Sequence, residues 1–292
     1  MKKLIILLLT FSFCLTKEVD EVDGQGRYSV PRIGNFSLPI SQQPGPLISF
    51  GQNILDKYDT LASIYVDYLK GKNKKDERIL TKVLYGITDH ISIFIEFPYT
   101  IKQQLDHHCS QGIEDLLVQT EYILYAKYHK NSIDVITLVT GLRFSNGNYL
   151  KIPPTGFGSS SFFLGLTASH TATDWYYYAS SGAILTTNHF NTKFGNQFLY
   201  QLGLSKNIWY KKEKFIFNWM IEFDGTYSQK DKIAGKINLN TGGNEILLGA
   251  SLFFSTQKIA IHGGISWFIY QHLFGDQKKD KYYASINFSY KF

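Results

Sequence analysis

The chain has 292 residues, a formal net charge of +6, 16% aromatic residues and 18% charged residues. This mild positive excess gives little support for a polyanionic partner, and the sequence predicts no nucleic-acid binding because its basic residues form no continuous face. Of the two cysteines, Cys14 lies in a predicted signal peptide, so Cys109 has no partner for an internal disulfide.

The first residues predict export from the cytoplasm. Lys2 and Lys3 precede the apolar run Leu4 to Leu9, which is the pattern of a secretory signal. An apolar stretch of about 12 residues is too short for a transmembrane helix, which needs roughly 20. A bulky Phe13 before Cys14 argues against a lipid-modified cysteine. Residues 1–16 are therefore predicted to be a cleaved signal peptide.

Residues 17–57 have no sustained hydrophobic period and contain four prolines, Pro31, Pro39, Pro44 and Pro46. Such a segment does not form a regular strand or helix. We expect a periplasmic arm or a small plug.

Residues 58–292 alternate between apolar and small polar side chains, as transmembrane strands do. Short and long connections also alternate, which is typical of an up-and-down barrel with short periplasmic turns. A soluble β-sandwich would carry more charge on its polar faces. The predicted fold is all-β, an antiparallel up-and-down transmembrane β-barrel of about 12 strands in the outer membrane of a Gram-negative bacterium. The predicted strands are 59–69, 78–87, 89–98, 113–128, 133–145, 158–170, 174–186, 195–207, 214–227, 244–255, 258–271 and 281–292.

Residue parity along each strand predicts which side chains face the lumen. On the strand 214–227, Ile221 faces lipid and Asn218 faces the lumen, so lysine should cost roughly 2 to 4 kcal/mol at Ile221 and be tolerated at Asn218. Inward-facing side chains of both charge signs are compatible with a narrow channel, which we favour, or with a lumen closed by hydrogen-bonded side chains. The predicted lumen-lining residues are Lys82, Glu96, Glu121, Lys127, Arg143, Glu222 and Asp224.

The C-terminus resembles the insertion signal of outer-membrane barrels. Ser285, Asn287, Tyr290 and the terminal Phe292 match its polar and aromatic positions, although Asn287 replaces the usual glycine. An unpaired terminal strand can add to the edge of another sheet. We therefore expect barrel-assembly machinery and outer-membrane lipids as partners, whereas the oligomeric state is not predicted.

Three segments resemble a family of outer-membrane proteins labelled as transporters of the meta-pathway of phenol degradation. These are VLYGITDHISIFIEFPY (Val83 to Tyr99), GIEDLLVQTEYILY (Gly112 to Tyr125) and GFGSSSFFLGL (Gly156 to Leu166). The family's Pro-Thr-Gly is altered to Phe144-Ser145-Asn146-Gly147. The resemblance spans roughly residues 78–292 and implies a barrel for passive uptake of small molecules, with aromatic or apolar solutes as one option.

Enzymatic and metal-binding alternatives have little support in the sequence. Outer-membrane phospholipases carry a histidine two residues before Ser-Asn-Gly, but Arg143 holds that position before Ser145. A serine without a base is not an activated nucleophile. His107, His108 and Cys109 are adjacent on one predicted loop and lack a fourth ligand. We expect no cofactor, no metal and no enzymatic activity. A closed barrel with a structural or surface-interaction role and a lipid hydrolase remain the alternatives to a channel.

Overall fold

A computed structural model describes residues 32–51, 53–188 and 191–292. The predicted signal peptide, 1–16, and the first part of the predicted arm, 17–31, lie outside these ranges. No helix among the described residues is long and apolar enough to cross a bilayer.

The described chain consists almost entirely of antiparallel β-strands, preceded by two short 3-10 helices, Gly34–Ser37 and Ile40–Gln42. The strands are β1 (Thr60–Gly71), β2 (Lys74–Thr88), β3 (Ile91–Leu105), β4 (His108–Ile113), β5 (Leu116–Tyr128), β6 (Ser132–Phe144), β7 (Ser161–Ala172), β8 (Trp175–Thr186), β9 (Gln197–Lys211), β10 (Phe215–Ser228), β11 (Lys232–Ile233), β12 (Lys236–Ile237), β13 (Gly243–Thr256), β14 (Ile259–Leu273) and β15 (Asp280–Lys291).

The main sheet closes into a barrel with twelve strand positions. β15 pairs with both β14 and β1, and β2 pairs with β3, so the sheet has no free edge between its first and last strands. β4 and β5 both pair with β3 and together fill one position. The predicted barrel of about 12 strands is confirmed. β11 and β12 form a separate small hairpin in a loop.

Apolar side chains face outward and polar side chains face inward. In β1, Ile64 and Val66 are exposed while Ser63 and Asp67 are buried. In β15, Ser285, Asn287 and Ser289 are buried, whereas Ile286 and Phe288 are exposed. Apolar residues on the outside need hydrocarbon around them, and a closed barrel leaves no backbone group unpaired in it. The fold is that of an outer-membrane barrel.

The predicted strands left long connections after residues 69 and 98, and both of these predictions are wrong. The chain turns within two residues, Lys72–Asn73 and Asp106–His107, and the strands run up to these turns. Asn73 and Asp106 have positive φ, which tight turns require. The charged residues near both turns made these stretches look like loops, although the strand ladder continues through them. The longer connections at this end of the barrel, the long-loop end, are 145–160, 187–196, 229–242 and 274–279.

Most of the described residues before β1 lie inside the barrel. We call residues 32–51 and 53–57 the inner segment. It enters beside the β7–β8 turn, where the Asn35 N–H donates to the Thr173 carbonyl at 2.7 Å. It leaves beside the β2–β3 turn, where the Lys57 N–H donates to Asp89 at 3.0 Å. Both turns belong to the end with short connections, the short-turn end, so the inner segment forms a loop within the lumen.

Candidate functional site: the lumen and its inner segment

Polar groups near the short-turn end hold the first part of the inner segment by hydrogen bonds. The fully buried side chain of Asn35 donates to the Ala172 carbonyl at 2.9 Å and accepts from Asn218 at 2.8 Å. Further along, Ser255 donates to Gln42 at 2.8 Å. Asn218 was predicted to face the lumen and to tolerate lysine. Its contact with Asn35 means that a lysine there would push against the inner segment.

Two carboxylates of β10 hold the far part of the inner segment. The backbone N–H of Leu47 lies 3.1 Å from both oxygens of Glu222, and those of Ile48 and Ser49 lie 3.3 and 3.4 Å from Oε1. The Ser49 hydroxyl lies 2.5 Å from Asp224. The Tyr178 hydroxyl donates to Glu222 at 2.9 Å. Hydrogen bonds to a carboxylate are about twice as strong as neutral ones, so this group is a main anchor.

Glycine permits the sharp bend at the innermost part of the segment. Gly51 has φ +96°, and a Cβ there would lie 2.2 Å from the Thr167 hydroxyl. Phe50 packs edge-on against Phe163, with 4.7 Å between ring centroids. Gly165 leaves the room for these rings, since a Cβ on it would lie 2.7 Å from Phe50.

The returning part of the segment is anchored on the opposite wall. Asn53 donates to Glu121 from its backbone and from its side chain, each at 2.7 Å. Lys82 donates to the side-chain amide oxygen of Asn53 at 2.9 Å. The Leu55 N–H then donates to Ser92 at 2.8 Å. Polar lumen residues on both sides therefore hold the segment across the barrel.

A cavity of about 570 Å³ remains in the lumen beside the inner segment. Its wall combines aromatic rings, including Tyr65, Phe94 and Phe163, with charged groups. The charged residues that line it are Asp67, Arg78, Lys82, Glu96 and Arg143.

The predicted lumen residues occupy three different environments. Lys82, Glu96 and Arg143 line the cavity, and Lys82 also contacts Asn53 of the inner segment. Glu121, Glu222 and Asp224 are buried against the inner segment instead. Lys127 does not fit the prediction, as described next.

Lys127 lies on the outer face of the barrel. The register of β5 against β6 shifts between Ile123 and Tyr125, so one extra residue enters β5 and reverses the parity beyond it. Lys127 then pairs with Asp134, on the face of the exposed Ile136. The predicted lumen position of Lys127 is therefore wrong, because parity counting assumes an uninterrupted strand.

Two of the three segments that carried the family resemblance, together with the altered Phe144–Gly147 stretch, meet at Asp115, between β4 and β5. Its carboxylate accepts the Gly147 N–H at 2.9 Å and the Phe157 N–H at 2.7 Å. A Cβ on Gly156 would lie 2.4 Å from the same carboxylate. These contacts anchor the loop 145–160 on the barrel wall, so the matching residues support the fold.

Replacing Asp115 by Ala should loosen the loop 145–160. Two backbone N–H groups would lose their acceptor, at a cost of about 1 to 3 kcal/mol each where they stay buried. We expect faster protease cleavage within this loop while the barrel stays folded in detergent. Asp276→Ala, in another exposed loop, is the control. Equal cleavage of both variants and the wild type would contradict an anchoring role.

The residues considered for other chemistry lie at the long-loop end. Ser145 is exposed just after β6, and His107 and His108 lie at the exposed β3–β4 turn next to Cys109. Within the described part of the chain, no group of three or more His, Cys, Asp or Glu side chains could hold a metal ion.

Comparison with solved structures places the fold among outer-membrane channels. The structure matches an outer-membrane channel from Pseudomonas putida F1 with a TM-score of 0.72 and 12% identity, covering 86% of this chain and 100% of that one. It matches the NanC porin with a TM-score of 0.50 and 13% identity, covering 79% and 100%. The chain has an outer-membrane channel fold. No protein-family model and no curated protein sequence matches the chain.

Proposed function

We propose that the protein is an outer-membrane channel for passive diffusion of small solutes, and that aromatic or apolar solutes suit it best. The cavity of about 570 Å³ beside the inner segment carries this proposal. This volume lies within the range of about 300 to 1,000 Å³ that small ligands occupy. The resemblance to the phenol-pathway family supports the same class of solute, but the substrate in that label is not carried over.

The residues that line the cavity suggest selection of solutes by both size and polarity. Tyr65, Phe94 and Phe163 offer flat apolar surfaces to an aromatic ring. Lys82 lies 4.4 Å from the centre of the Phe94 ring, so a charge and an aromatic face are presented together. Charged groups of both signs in a confined pore determine which ions or dipoles are stabilised.

Charge reversal in the cavity should change ion selectivity. Arg143→Glu replaces a positive group by a negative one, so we expect the reversal potential in a salt gradient to shift toward cation preference. Glu96→Lys should shift it the other way. Reconstitution in planar bilayers measures both effects. Lys127→Glu is the control, because Lys127 faces outward and its reversal should leave selectivity unchanged.

The same preparation distinguishes the competing functions. Liposomes with the wild-type protein should admit a small phenolic solute faster than a sugar of similar mass. A sealed wild-type barrel would favour the structural role instead. Lipid hydrolysis that disappears in Ser145→Ala would favour the hydrolase.

A further inference from the structure

Two of the three lysine and arginine side chains that line the lumen cavity already have partners. Arg78 lies within 4.0 Å of three carboxylates, the nearest of which is Asp67 at 3.3 Å. Lys82 lies directly opposite Glu96 on the neighbouring strand, and its ammonium group donates to Asn53 of the inner segment at 2.9 Å. Both positive groups are therefore engaged within the barrel.

Arg143 is the third of these positive groups, and it forms no ion pair. No carboxylate of the described residues lies within 4.0 Å of its guanidinium group. A strand separates it from Glu96, because Leu117 of β5 lies opposite both residues. Asp115, just before β5, already accepts two backbone N–H groups of the loop 145–160. The cavity thus contains one positive charge that a solute could neutralise.

An aromatic ring of the loop 145–160 restrains this guanidinium group. The centre of the Phe157 ring lies 5.6 Å from the central carbon of the Arg143 guanidinium group. Phe157 is itself held, since its ring packs against Phe194 with 5.1 Å between centroids. Arginine stacks well on aromatic faces. The contact therefore favours one orientation of Arg143 at the end of the cavity nearest the long-loop end.

A glycine leaves an apolar slot beside the charge. Gly141 precedes Arg143 by two residues in β6, so both residues face the same side of the sheet. A Cβ on Gly141 would lie 3.3 Å from Phe163 and 3.4 Å from Leu117. Phe163 and Leu117 both line the cavity. A flat ring placed over Gly141 would lie between these two side chains, with its substituent at Arg143.

We propose that this slot binds planar aromatic carboxylates with one negative charge, for which benzoate is the simplest probe. Arginine presents a planar fork of N–H donors that matches a carboxylate with two parallel hydrogen bonds. A neutral ring would leave the charge of Arg143 uncompensated, and a small anion would leave the slot unfilled. The inference rests on the proposed channel function, because it names the class of solute that the same cavity selects.

Equilibrium dialysis of the full-length barrel in detergent measures this binding whether or not the barrel conducts. The probes are benzoate, its neutral analogue benzamide, and acetate, which has the charge without the ring. Binding to empty micelles is subtracted. We expect benzoate to bind roughly tenfold more tightly than either of the others, because each of them lacks one of the two interactions. An equal Kd for benzoate and benzamide, or for benzoate and acetate, would overturn the proposal.

Three variants locate the site in the barrel. Arg143→Gln should raise the Kd for benzoate roughly tenfold and leave that for benzamide unchanged. Arg143→Lys keeps the charge but loses the planar fork, so it should raise the Kd for benzoate by about threefold. Gly141→Val fills the slot and should weaken binding of benzoate and benzamide together. Unchanged benzoate binding in either Arg143→Gln or Gly141→Val would overturn the proposal.

Two control variants match these changes outside the lumen. Lys127→Gln also removes a positive charge, but from the outer face of the barrel. Gly263→Val adds the same side chain as Gly141→Val on the outward face of β14, where a Cβ would meet nothing closer than 3.6 Å. Both controls should bind benzoate as the wild type does. Loss of benzoate binding in either control would place the site elsewhere and contradict the proposal.

Planar bilayers separate this inference from the proposed channel function. Benzoate added to the conducting wild-type protein should interrupt the ionic current, and Arg143→Gln should need about tenfold more benzoate for the same effect. A sealed barrel that still shows Arg143-dependent benzoate binding would contradict the channel and support the site. Conduction that benzoate does not interrupt would contradict the site and leave the channel supported.

Discussion

Replacing Glu222 by Ala should produce frequent openings to a larger conductance than the wild type shows. Three consecutive backbone N–H groups of the inner segment, from Leu47 to Ser49, lie within 3.4 Å of this carboxylate. Each N–H that stays buried without an acceptor costs about 1 to 3 kcal/mol. Because about 1.4 kcal/mol corresponds to a factor of ten, the time spent with the segment displaced should rise by roughly tenfold or more.

Single-channel recording in planar bilayers measures this effect directly. Glu213→Ala is the matched control, since Glu213 pairs with Arg32 of the inner segment at an exposed site, and exposed pairs contribute about 0 to 1 kcal/mol. Gly51→Val provides an independent test without removal of a lumen charge, because its side chain would collide with Thr167. Gly235→Val is its control, at positive φ but in open space. Unchanged conductance in both Glu222→Ala and Gly51→Val would show that the segment is not held as proposed.

Lysine on the lipid face should destabilise the barrel much more than lysine on the cavity face. Val83 is exposed on the outside of β2, and Leu80 lies on the same strand but lines the cavity. We expect Val83→Lys to lower the free energy of unfolding by roughly 2 to 4 kcal/mol if its position is near the bilayer midplane. Leu80→Lys should cost much less, because its charge can reach the polar lumen. The native Lys82 already occupies such an inward position.

Reversible urea unfolding in lipid vesicles measures the two free energies on one scale. The comparison is matched, because both changes introduce the same side chain into one strand. Equal losses at the two positions would contradict the assigned faces of β2.

The sequence predicted the barrel well because alternation in a strand has a period of two residues and one face must meet hydrocarbon. Ile221 and Glu222 illustrate this, since parity placed the first outside and the second inside. The same reasoning failed at Lys127, where the irregularity near Ile123 has no clear signature in the sequence. It also ended the β1 strand too early, because charged residues beyond the membrane resemble a loop.

The contents of the lumen were much harder to predict. The inner segment has no repeating pattern, and its main contacts are made by backbone N–H groups, which every residue other than proline carries. Parity could place Glu222 and Glu121 inside, but it could not reveal which of the inward charges meet the segment and which meet open space. That distinction depends on a path of the chain that only the three-dimensional structure provides.

The inner segment enters and leaves at the same end of the barrel, and this has a mechanical consequence. A loop of this kind is not threaded through the barrel, so it can be withdrawn without breaking any strand pair. A force applied at Arg32 and directed away from the short-turn end would load the contacts in order, first at Asn35, then at Gln42 and then at Glu222. Each broken contact would free a further length of the inner segment while all strand pairs of the barrel stayed intact. The open part of the lumen would therefore widen in steps.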